Sequence, residues 1–79
     1  MKARVIVTLK PGILDPQGKA IEGALQSLGV SGVASVRQGK IFEIELKDTD
    51  KAKAEQVVKA AAEKLLANLV IENYRIELS

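Results

Sequence analysis

The stretch VASVRQGKIFEIELK, residues 33–47, decides how many strands this chain has. Two runs containing apolar residues flank Gln38-Gly39-Lys40. In the second run Phe42, Ile44 and Leu46 fall on one side and Ile41, Glu43 and Glu45 on the other, the pattern of a strand with one buried face. Gly39 is able to supply the positive φ that a tight turn needs. The reading is therefore a β-hairpin turning at QGK.

Upstream of that hairpin lies LKPGILDPQGKAIEGALQSLG, residues 9–29. Asp15 is placed to accept a hydrogen bond from a first-turn N–H, and Pro16 fits the first helical position, where its missing donor costs nothing. Ile21, Ala24, Leu25 and Leu28 then recur at helical spacing, and Gly29 is the natural stop. Gly18 and Gly23 each cost about 0.5–1 kcal/mol against Ala in a helix interior, which points to a neighbouring backbone close by. Before the helix, Lys2–Leu9 alternates: Ala3, Val5, Val7 and Leu9 face one way, Lys2, Arg4, Ile6 and Thr8 the other.

Downstream, Thr49 or Asp50 caps a second helix, with Asp48 and Asp50 near its positive end. Its stripe is Ala54, Val57, Val58, Ala61 and Leu65, and Asn68 is a left-handed exit residue. The run VIENYRIEL, residues 70–78, is a last strand with Tyr74, Ile76 and Leu78 inward. The order is β-α-β-β-α-β, an α+β domain over residues 1–79. Its simplest form is a four-stranded antiparallel sheet with both helices on one face, the ferredoxin-like arrangement. Arg4 then pairs across the open face with Glu43 or Glu45.

The 79 residues contain no cysteine and no histidine, which removes thiolate chemistry, disulfides and the commonest general base and metal ligand together. Serines and threonines remain without an imidazole to activate them. The GK pairs at Gly18-Lys19 and Gly39-Lys40 are followed by Ala20 and Ile41, so neither is a phosphate-binding loop. An open sheet face of Arg4, Ile6, Thr8, Glu43, Glu45, Arg75 and Glu77 has no ring for a base to stack on, and its acids repel phosphate, which argues against nucleic acid. Twelve basic and ten acidic residues make a mixed surface. No stretch approaches the ~18 apolar residues of a membrane span, and a cytoplasmic location is expected.

What remains is interaction. Ile13 and Leu14 are large aliphatics in a loop, directly before the helix cap. Leu14 could staple the fourth helical residue, but that residue is Lys19, a poor partner. Both could instead tuck under the sheet end, or meet another chain. Ile6 and Ile41 face outward, and the sheet has two open edges that pairing between subunits would remove. A free-standing ACT-like module binding a small ligand shares this element order and is the alternative; its βα loop would carry Ile13 and Leu14.

Three motifs narrow the choice. LDPQG (Leu14–Gly18), VRQGKIFEIEL (Val36–Leu46) and KLLANLVIENY (Lys64–Tyr74), in that order along the whole chain, resemble the PurS family, the small subunit of phosphoribosylformylglycinamidine synthase. The resemblance implies a non-catalytic subunit, a homodimer or homotetramer, bridging a glutaminase subunit (PurQ) and a large ATP-using synthetase subunit (PurL) in purine biosynthesis. It implies no cofactor or metal in this chain, the magnesium-ATP site belonging to the synthetase. Expected subunit contacts are Ile13, Leu14, Asp15, Pro16, Gln17, Ile6, Ile41, Asn68, Ile71 and Tyr74.

Overall fold

The computed structural model describes residues 1–47 and 50–79. Three strands, β1 (Lys2–Leu9), β2 (Gly39–Glu45) and β3 (Glu72–Leu78), form an antiparallel sheet in the order β2-β1-β3. Two helices, α1 (Pro16–Ser27) and α2 (Lys51–Ala61), complete the α+β fold, and one π-type turn at Ala62–Leu66 extends α2. The alternation in β1 is borne out: Ala3, Val5 and Val7 are buried, and the inward residues of β2 and β3 are partly covered.

Among the described residues the expected fourth strand is absent. Gly39 does not turn the chain; positive φ among the glycines occurs at Gly12, Gly29 and Gly32. Gly39 is instead the first residue of β2, opposite Thr8, and a Cβ there would sit 2.7 Å from the Val7 carbonyl oxygen. Its small size serves close strand contact, and residues 30–38 run outward as an arm that does not fold back on β2.

The expectation of two helices on one face is corrected with it. Among the described residues it is α2 and the turn extending it that pack on the sheet: Val58 and Ala62 are fully buried in one cluster with Val5 and Val7, and Ala54 is fully buried too. Helix α1 lies beside the arm, and Gly18 is its one buried residue. Its stripe is open: Ile21 is 37% and Leu28 77% exposed. The second stripe is also rotated from its expected position. Ala62 replaces Leu65, which is 82% exposed, and Val57 is 56% exposed. The wider π-type turn carries the residues after Ala61 out of α-helical phase.

Length follows from these departures. The radius of gyration is 15.9 Å and the long axis 48 Å, whereas a compact chain of 79 residues has a radius of about 12 Å.

Helix ends obey local chemistry. Gly29 (φ 81°) ends α1 in a Schellman motif, with Val30 N–H donating to the Leu25 carbonyl and Gly29 N–H to that of Gln26. Asp50 caps α2 by accepting from Ala52 N–H at 3.0 Å; Thr49, the other expected cap, and Asp48 lie outside the described residues. Asn68 is not left-handed, since no non-glycine residue described has positive φ. It builds a tight turn instead, its side chain accepting from Val70 N–H and its carbonyl from Ile71 and Glu72 N–H.

Candidate functional site

The LDPQG loop is organised around Asp15. Pro11 and Gly12 (φ 87°) form the turn that leaves β1, closed by Ile13 N–H donating to the Lys10 carbonyl at 3.1 Å. The Asp15 carboxylate then does two things. One oxygen caps α1 by accepting from Gly18 N–H at 2.9 Å, and the other accepts from Gln38 N–H at 2.8 Å. Side-chain exposure of this aspartate is low, with the residue only 5% accessible. The Gln38 bond foremost, then the Gly18 bond and the nearby Arg37 charge, hold its carboxyl below the ordinary value of 3.8.

Arg37 closes the same junction from the arm, donating to the carbonyls of Ile13 (3.0 Å) and Lys10 (3.2 Å). Glu22, about two turns along α1 from Asp15, accepts from Val36 N–H at 3.0 Å. Gly18 presses directly on the Val36 carbonyl oxygen, leaving no room for a Cβ. The expectation of a close backbone at Gly18 is thus met; at Gly23 nothing lies near. Loop, helix and arm form one clasp.

The expected contact residues fall in three places. Leu14 is 73% exposed, so it neither staples Lys19 nor tucks under the sheet. Ile13 is half-buried, and Pro16 and Gln17 are exposed. Ile71 and Asn68 reach the same end of the sheet, for Lys10 N–H donates to the Ile71 carbonyl at 2.9 Å. Asp15, Gln17, Gln38, Lys40 and Glu72 line a small cleft between the two segments. Leu69 and Val70, 45% and 80% exposed, add to the apolar surface there. Tyr74 is engaged within the chain, its hydroxyl donating to Glu63 at 2.7 Å, which raises its pKa. Ile6 and Ile41 stand apart, cross-strand neighbours on the outer sheet face.

Arg4 lies between Glu43 and Glu77 in the register. The ion pairs within 4 Å among the described residues are other ones: Lys19–Glu22, Lys40–Glu72 and Arg75–Glu77. No group of His, Cys, Asp or Glu among the described residues is arranged to hold a metal ion. No helix described is long and apolar enough to cross a membrane. Glu22 and Gln38 escape sequence reading, because their partners lie 14 and 23 residues away and no periodicity reports such a pairing.

Fold and surface together define a class: a small α+β association module, rich in uncovered apolar side chains at a rigidly built loop. Comparison with known proteins makes the class specific. The family model described as PurS, phosphoribosylformylglycinamidine (FGAM) synthase, matches residues 2–79, and the chain belongs to the PurS family.

The FGAM synthase subunit PurS of Synechocystis sp. is 47% identical over 76 residues, covering 96% of this chain and 76% of that protein. A solved structure of Bacillus subtilis PurS is 46% identical with a TM-score of 0.84, covering 96% of this chain and 94% of that one. The structure of PurLQS from Thermotoga maritima contains a chain 34% identical with a TM-score of 0.89, covering 96% and 93%. Methanocaldococcus jannaschii PurS, 39% identical with a TM-score of 0.86 and covered to 92% by 96% of this chain, is described as one of the subunits of formylglycinamide ribonucleotide amidotransferase in the purine biosynthetic pathway. The ACT-like alternative gains no support from these comparisons.

Proposed function

We propose that the chain is the non-catalytic scaffold of its FGAM synthase, self-associating and joining the glutaminase and synthetase subunits in the cytoplasm. The complex converts formylglycinamide ribonucleotide, ATP, glutamine and water into formylglycinamidine ribonucleotide, ADP, phosphate and glutamate. The observation that carries this reading is the close match to a chain within the Thermotoga maritima PurLQS structure. Magnesium-ATP is assigned to the synthetase and the glutamine-cleaving nucleophile to the glutaminase, in keeping with a sequence without cysteine or histidine.

Leu14 is the proposed docking residue. The clasp at Asp15 holds it outward in one direction, which lowers the ordering cost of binding. Replacing Leu14 with Asp tests this: the variant keeps its circular dichroism and fails to support glutamine-dependent synthesis in the three-subunit mixture. Undiminished activity would remove Leu14 from the interface.

A further inference from the structure

Strand β3 has an open edge on the side away from β1, and a groove runs beside it. Lys10 N–H donates to the Ile71 carbonyl and Ser79 N–H to that of Lys2. Odd-numbered residues of this strand therefore point their backbone groups at β1. The N–H and C=O groups of Tyr74, Ile76 and Leu78 point the other way, and among the described residues β3 is the last strand of the sheet on that side. Such an edge templates another strand.

Side chains at the same even positions face α2, because they stand opposite Val7, Val5 and Ala3. Ile76 and Leu78 stay half-buried and floor a groove of about 420 Å³, walled by Lys51, Glu55 and Lys59 of α2. Neither lysine joins an ion pair within 4 Å among the described residues. An open edge next to a side-chain groove is how folded domains bind an extended segment. The main chain supplies affinity there, and alternate side chains supply the reading.

We infer that β3 accepts one extended segment from another subunit of the synthase, whose inward side chains run acid, base, acid at alternate positions. The two spacings agree. Successive wall residues lie four apart on α2, about 6 Å along its axis, and every second residue of a strand advances about 6.6 Å. The segment's two acids then meet Lys51 and Lys59, its base meets Glu55, and their stems cover Ile76 and Leu78. A second copy of β3 does not fit, since its inward Tyr74, Ile76 and Leu78 offer the lysines no charge and it brings an identical two-lysine wall with it. The groove lies toward the Ala3 end of the sheet, away from Leu14, so this is a second contact. It rests on the assembly proposed above.

Amide hydrogen exchange on the chain alone and in the three-subunit mixture, with sedimentation to follow assembly, tests the inference. The amides of Tyr74, Ile76 and Leu78 are expected to exchange at least about tenfold more slowly in the complex. A Lys51→Glu/Lys59→Glu double variant, folded by circular dichroism, is expected to lose that protection and to need about tenfold more chain for half-maximal assembly. A complex that forms with these three amides unprotected, or with protection unchanged in the variant, would overturn the inference and leave the scaffold reading in place. Protection that rises with concentration of the chain alone would show a second copy on the edge and overturn it too. Failure of the three subunits to associate would overturn both.

Discussion

Asp15 shows how much one side chain decides here. As a helix cap it is readable from DP in the sequence, but its second bond, to Gln38 N–H 23 residues away, is not. An asparagine keeps one acceptor oxygen and turns an NH2 group toward the other donor, so Asp15→Asn retains the cap and loses the arm contact. The pH dependence follows. The folded pKa is depressed, so the carboxylate's contribution is present in full above its unfolded value, near 3.8, and is lost as pH falls through the folded value. Urea titrations of the two proteins are expected to differ at neutral pH and to converge as pH falls through the lowered folded value. A constant difference across that range would show that the charge contributes nothing. Leu14 was legible as an oddity; only its exposure in the folded chain separates docking from a staple.

At the scale of elements, strands were legible because alternation reports a single buried face, and β1, β2 and β3 each carry it. Helix starts were legible because caps are local. The hairpin was not: GK between two apolar runs is compatible with a turn, and whether Gly39 takes positive φ depends on what competes for the backbone of residues 36–38. Here two carboxylates, those of the α1 cap Asp15 and of Glu22 within α1, win that competition. Position along α2 separates packing from capping. Val58 is fully buried against the sheet, so Val58→Ala removes two methyls and leaves a gap, at a cost of about 2 kcal/mol. Losing the exposed cap in Asp50→Ala costs about 1 kcal/mol. Chemical denaturation orders the two, and an equal or reversed order would place the core elsewhere than under α2.

For the whole molecule, the governing fact is incompleteness. A chain 48 Å long, with Ile21, Leu28 and Leu65 exposed along its helical segments, keeps much apolar surface that its own residues do not cover. Membership of the PurS family gives that incompleteness a purpose, because assembly is where such surfaces are used. This level was legible only through the three spaced motifs; composition and periodicity lead as far as an association module and no further.

The decisive measurement is glutamine-dependent formation of formylglycinamidine ribonucleotide by the purified synthetase and glutaminase, with and without this chain. The rate is expected to be near background in its absence and to rise to a plateau at a fixed stoichiometry as it is added, while the chain alone converts nothing. A full rate without it, or any turnover by the chain on its own, would contradict the account.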